Sequence, residues 1–124
     1  MIGPLVLEAL RSSEQPPVVV AELSGNHGGE LGRALDLIDA AAASGADAVK
    51  LQTYRPDTIT VEVRDERFLI KEGLWSGSYL TDLYAEAMTP WEWHPALAER
   101  AAELGLVLFS SPFDESAVDF LEDN

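Results

Sequence analysis

The sequence predicts an α/β fold built on a parallel sheet, and three observations carry that expectation. Apolar runs at residues 18–22, 46–54 and 105–112 each finish in polar or charged side chains. Amphipathic helical patterns separate the runs, so the order reads β-α-β-α-β-α. That alternation favours parallel strands joined by right-handed crossovers, with every strand end on one rim.

The first run, Val18-Val19-Val20-Ala21-Glu22, reads as a strand buried on both faces that ends in a carboxylate. Turn-forming residues from Ser24 to Gly29 follow it. Between Glu30 and Ser44, apolar residues recur at Leu31, Ala34, Leu35, Ile38, Ala41 and Ala42, the stripe of a helix with one buried side, and Gly45 is placed to stop it. The second strand carries Lys50 inside an apolar body. Thr89-Pro90-Trp91-Glu92 has the spacing of a capping box with proline at the first helical position, and Trp93, Leu97, Ala101 and Leu104 then share one side of a helix ended by Gly105. The third strand finishes in two hydroxyls, Ser110 and Ser111, before Asp114, an N-cap candidate for a helix that turns Ala117, Val118 and Leu121 inward.

The connection over residues 55–89 is far longer than an ordinary strand-to-helix loop of roughly 2 to 6 residues. It holds Phe68, Leu69, Ile70, Leu74, Trp75 and Tyr79, too apolar for a disordered linker, and a short helix is expected within residues 78–88. A folded excursion on the rim that carries the strand ends suits a lid or specificity element.

Two architectures accommodate these units. A Rossmann-like sheet is disfavoured because the first strand-to-helix turn lacks the G-x-G-x-x-G spacing, so the first three βα units of an incomplete TIM (β/α)8 barrel are preferred. A full barrel takes roughly 250 residues, and this chain has 124. A three-stranded domain that folds by itself, closing its open edge on a second copy, is the alternative. Residues 1–16 read as an N-terminal extension with no basic start of the secretory kind.

Composition bounds the function. A net charge of −14, with Lys50 and Lys71 the only lysines, argues against a nucleic-acid surface. No apolar run is long enough to span a membrane, and the absence of cysteine excludes disulfides and thiolate chemistry, with the cytoplasm as the expected compartment. An anionic substrate would need a local cation, which makes Lys50 conspicuous.

Four motifs in order carry a family resemblance: Ala-Glu-Leu-Ser-Gly-Asn-His at 21–27, Lys-Leu-Gln-Thr-Tyr at 50–54, Thr-Pro-Trp-Glu-Trp-His at 89–94 and Phe-Ser-Ser-Pro-Phe-Asp at 109–114. Residues 17–124 thereby resemble the start of the sialic acid synthase family, N-acetylneuraminate synthase-like enzymes. The Leu-Trp-Ser-Gly stretch at 74–77 and the 89–94 motif resemble the pseudaminic acid synthases most. The resemblance implies a metal-dependent TIM barrel that condenses phosphoenolpyruvate with an acetamido sugar and releases phosphate. It also implies a homodimer, with an antifreeze-like domain of the partner subunit helping to complete the site. Mn2+ or Mg2+ would be bound by histidines beyond Asn124. An N-acetylneuraminate or legionaminate synthase, another phosphoenolpyruvate-using or sugar-phosphate barrel enzyme, and a non-catalytic interaction module stay open beside the pseudaminic reading.

The resemblance also assigns roles. Glu22 would stabilise the oxocarbenium centre or handle the attacking water, and Lys50 would hold phosphoenolpyruvate by its phosphate or carboxylate. Ser111, with Ser110 beside it, would contact the carboxylate; Asn26 and His27 would line the sugar end; Gln52 and Thr53 are further rim candidates. For His27 a hydrogen-bonded structural role competes, and for the serines a helix-start role does. Trp91, Trp93 and His94 are expected to pack the second helix against the sheet.

Overall fold

The computed structural model describes residues 16–123. Three parallel strands form a sheet of order β1-β2-β3, each joined to the next through helical structure. Strand β1 is Val20–Glu22, helix α1 Leu31–Ala43 and strand β2 Ala48–Thr53. The excursion then holds α2, Pro56–Ile59, a 3-10 turn at Glu66–Phe68, and α3, Leu80–Ala87. A second 3-10 turn, Trp91–Trp93, leads into α4, His94–Glu103, followed by β3, Val107–Pro112, and α5, Glu115–Asp123. The N-terminal extension expected over residues 1–16 lies outside the described residues apart from Pro16.

Alternation along the strands gives the sheet two unlike faces. Ala21, Val49, Leu51 and Leu108 point to the helices, where Val49 and Leu51 pack with Ala34, Ile38 and Ala41 of α1 and Leu97 and Ala101 of α4. Phe120 of α5 reaches the same side, tilted over Trp91 and edge-on to His94. Val20, Glu22, Lys50, Gln52, Phe109 and Ser111 occupy the other face, which no helix among the described residues covers. Within the described residues the first strand is less buried than expected: Val20 is 42% exposed, because β1 has one strand neighbour there and helices on one side only. Beside it an open groove of about 350 Å³ runs between β1 and α1, lined by Val19, Ala21, Leu37, Ala40 and Ala46.

Local signals decide the helix ends. Gly45 and Gly105 follow α1 and α4 at φ of 81° and 73°, the left-handed conformation that glycine adopts without steric cost. Asp114 Oδ1 accepts from the Ala117 N–H at 3.1 Å, so the expected N-cap of α5 is formed. On that helix Ala117 is buried, but Val118 is 39% exposed and Phe120 makes the packing contact in its place. The capping box expected at residues 89–92 does not form. Thr89 is buried with its hydroxyl 3.2 Å from His27 Nε2, and the chain enters α4 through the 3-10 turn instead. Leu104, expected inward on α4, is 37% exposed because the helix ends at Glu103.

The excursion is folded, as its apolar content requires. A bridge between Leu69 and Tyr79 closes it, Arg64 clamps Asp82 of α3 with two hydrogen bonds of 2.8 and 2.7 Å, and the expected helix within residues 78–88 is α3. Its tip is exposed at Leu74 and Trp75. A Cβ added to Gly25 would lie 2.9 Å from the Ala87 Cβ, so only glycine lets the turn after β1 pack directly on the end of α3.

Candidate active site

Strand register brings Glu22 and Lys50 together. They are direct neighbours on β1 and β2, their side chains lie on the uncovered face, and Lys50 Nζ donates to Glu22 Oε2. Both side chains keep partial access to solvent, 28% for Lys50 and 34% for Glu22. An ammonium has three N–H donors, so the Glu22 contact leaves Lys50 able to hold an incoming anion as well. The backbone turns sharply at Ser24, whose φ of 47° is a left-handed value costing a non-glycine residue roughly 1–2 kcal/mol. That turn brings the Ser24 hydroxyl back to donate to Glu22 Oε1 at 3.4 Å. Ser24 was not among the sequence candidates; its place two residues after the carboxylate, at the head of a Gly-Asn turn, is the signal that points to it.

The residue of β3 level with Lys50 is Phe109, and Ser111 lies two residues further along, opposite Gln52. The uncovered face thus offers two tiers: Glu22, Lys50 and Phe109, then Gln52 and Ser111 at the strand tips. Ser110 and Thr53 alternate away from them. The Thr53 hydroxyl lies 2.7 Å from Ser110 Oγ and 2.8 Å from His94 Nε2, and Thr53 is fully buried on the helix side. These two candidates therefore stand behind the sheet and do not join Lys50. His27 is also withdrawn from the uncovered face: it is 1% exposed, Nε2 meets the Thr89 hydroxyl, Nδ1 accepts from the Gly29 N–H at 3.1 Å, and the ring packs edge-on to Trp93. Asn26 is exposed, and its Nδ2 donates to the Leu23 carbonyl at 2.9 Å. Trp91 Nε1 donates to the Tyr54 carbonyl at 3.1 Å, so Trp91, Trp93 and His94 are packing residues as expected.

Burial sets the titration of the groups behind the sheet. It lowers the pKa of both His27 and His94 below 6.5, since neither imidazolium can be solvated there. It also pushes the Tyr54 phenol up to about 12, with Tyr84 adding to the effect. A folded-state pKa below the unfolded value means that the unfolded chain binds more protons at acid pH. Stability from these two histidines is therefore present above about pH 6.5 and is lost as pH falls toward their folded pKa values. Urea unfolding between about pH 7 and pH 5 should show a decline of up to about 1.4 kcal/mol per pH unit for each histidine, flattened in the His27→Gln, His94→Gln double variant. A profile that is flat in the unsubstituted protein refutes this. The carboxylates of Asp39, Asp65 and Asp114 are held below their usual value chiefly by hydrogen bonds from Arg100, Arg67 and Ser116, so they titrate below that window.

Among the described residues no three His, Asp or Glu side chains converge in a way that could hold a metal ion. Both His27 nitrogens and His94 Nε2 are already engaged. The described residues do not fit a metal centre. No helix among the described residues is long and apolar enough to cross a membrane.

Comparison with known proteins narrows this arrangement. A model described as the NeuB family matches residues 37–124. The chain is 46% identical over 111 residues to the pseudaminic acid synthase of Campylobacter jejuni subsp. jejuni serotype O:2, covering 90% of this chain and 32% of that protein. It is 47% identical over 108 residues to the pseudaminic acid synthase of Helicobacter pylori, covering 87% of this chain and 32% of that one. The N-acetylneuraminic acid (sialic acid) synthetase from Leptospira borgpetersenii serovar Hardjo-bovis, solved in complex with citrate, superposes with a TM-score of 0.71 at 28% identity, covering 88% of this chain and 33% of that one. The chain spans about a third of the length of the relatives it matches. A family model aligned over most of the chain and a parallel α/β sheet shared with a solved synthetase agree with the four motifs: the chain belongs to the NeuB family.

Proposed function

We propose that these residues are the N-terminal part of a TIM-barrel synthase that condenses phosphoenolpyruvate with a 2,4-diacetamido-2,4,6-trideoxyhexose, forming pseudaminic acid and releasing phosphate. The observation that carries the reading is the Glu22–Lys50 pair, in register on adjacent strands, the end of β1 beside the middle of β2, and on the face that the helices leave bare. Helices gathered on one side of a parallel sheet suit the arc of a barrel, whose strands turn their other face inward; a doubly wound sheet carries helices on both faces. Identity near 46% to pseudaminic acid synthases supports the choice of sugar.

In this reading Lys50 supplies the point charge that holds the carboxylate or phosphate of phosphoenolpyruvate, and Gln52 and Ser111 donate to the same anion from the next tier. The enol carbon attacks the aldehyde of the open-chain sugar. The cationic centre left at C2 lies within reach of the Glu22 carboxylate, which stabilises it or takes the proton of the water that adds there. The tetrahedral intermediate then loses phosphate by C–O cleavage. Phe109, level with Lys50 on β3, adds an apolar side chain to the same tier of the face. Residues outside this chain would hold the divalent metal, Mn2+ or Mg2+, and the working enzyme would be a cytoplasmic homodimer.

The test is phosphate release by the full-length protein from phosphoenolpyruvate, with 2,4-diacetamido-2,4,6-trideoxyhexose, N-acetylmannosamine and the legionaminate precursor compared as acceptors. Turnover fastest with the trideoxyhexose is expected; release indifferent to the acceptor, or none with any of the three, sinks the proposal. Residues 1–124 by themselves should be inactive, since Lys50 is the only cation the three strands place on the uncovered face and a multiply charged phosphate ester needs more than one.

A further inference from the structure

The geometry points to Thr53, Ser110 and His94 as positioning residues: a hydrogen-bonded chain behind the sheet that fixes the ends of β2 and β3 and so sets the spacing of Gln52 and Ser111 on the opposite face. The inference rests on the functional reading above, which makes Gln52 and Ser111 anion contacts.

The chain joins three elements. His94 opens α4, Thr53 ends β2, and Ser110 lies in β3. Thr53 Oγ1 is the middle member, 2.8 Å from His94 Nε2 and 2.7 Å from Ser110 Oγ. Thr53 and Ser110 immediately follow and precede Gln52 and Ser111 in sequence, and alternation sends each pair to opposite faces. Moving a rear hydroxyl therefore moves the front side chain beside it. The rear is anchored again one residue on, where Tyr54 donates its hydroxyl to the Tyr84 carbonyl at 3.3 Å and accepts from Trp91 at its own carbonyl.

The proton order along the chain follows from what His94 lacks. Among the described residues nothing hydrogen-bonds to its buried Nδ1, so a proton placed there would be a donor with no protein acceptor. The favoured tautomer carries its proton on Nε2, which donates to Thr53 Oγ1, and Thr53 then donates to Ser110 Oγ. Thr53 is the only member used in both directions. Removing its hydroxyl strands both neighbours, whereas removing the Ser110 hydroxyl breaks one link.

This polarity sets a graded expectation for the full-length enzyme, read by calorimetric phosphoenolpyruvate binding together with the Michaelis constants for both substrates. Thr53→Val should weaken phosphoenolpyruvate binding about 10-fold, Ser110→Ala about 3-fold, and Thr53→Ser by less than about 2-fold, each with the sugar constant unchanged. A merely structural role would lower the folded fraction and leave the binding constant of the folded protein alone. Wild-type affinity in Thr53→Val, or equal loss toward both substrates, overturns the inference. If Thr53→Val does not fold, Ser110→Ala decides: a 3-fold weakening supports it and no change overturns it. Lys50→Ala separates the two levels. If it binds phosphoenolpyruvate normally, the site reading and this inference fall together; if it loses binding while Thr53→Val does not, only this inference falls.

Discussion

Lys50→Ala in the full-length enzyme should lower kcat/KM for phosphoenolpyruvate by about 100- to 1,000-fold, or about 3–4 kcal/mol of transition-state stabilisation. Two effects add in the same direction. The anion loses the only cation that the three strands offer it, and Glu22 loses the partner that neutralises it. An unpaired carboxylate on that face repels phosphoenolpyruvate, so the Michaelis constant should rise more than kcat falls. Lys50→Arg keeps the charge but spreads it over a planar fork that does not replace a compact ammonium, and partial recovery is expected. Steady-state kinetics with saturating sugar checks both variants. An unchanged Michaelis constant and rate in Lys50→Ala would remove the lysine from the site and with it the central argument for the chemistry.

Ile38→Ala should cost about 3 kcal/mol of unfolding free energy, within the roughly 2–5 kcal/mol range for truncating a buried aliphatic side chain. Ile38 is completely buried where α1 meets both the sheet and α4, among Ala34, Ala41, Val49, Leu51 and Leu97. Three of those neighbours are alanine or valine, too small to collapse into the space left behind, so the cavity persists. Leu35→Ala on the same helix, where the side chain is only partly buried, should cost less than about half as much. Urea unfolding of the two variants side by side makes the comparison. A cost below about 1 kcal/mol at Ile38 would mean that α1 does not pack on the sheet as described.

Much of the fold was legible from local signals. The strands and α1, α4 and α5 lie where periodicity and glycine stops put them, because a 2.0- or 3.6-residue repeat and a left-handed cap are properties of neighbouring residues. The capping box failed for a non-local reason. Thr89 has the right sequence neighbours for a cap, but its hydroxyl is taken by His27, 62 residues away in the chain. Burial of β1 differs for a similar reason: a run of valines states a preference for the interior, and among the described residues the strand order leaves β1 with one neighbour and one helix-packed side.

The candidate site divides along the same line. By itself the sequence determined that Glu22 and Lys50 lie on neighbouring parallel strands of one β-α-β unit, Glu22 at the end of its strand and Lys50 within the body of the next. It also supplied the motifs that place the chain in its family. Tertiary structure alone decided which neighbours of those residues share their face. Register and the two-residue alternation put Gln52 and Ser111 with Lys50, and sent Thr53 and Ser110 behind the sheet to His94. The physical reason is that adjacent residues in a strand point in opposite directions. Membership of a motif cannot say which of two neighbouring hydroxyls faces the substrate until the sheet is assembled and one of its faces is covered by helices.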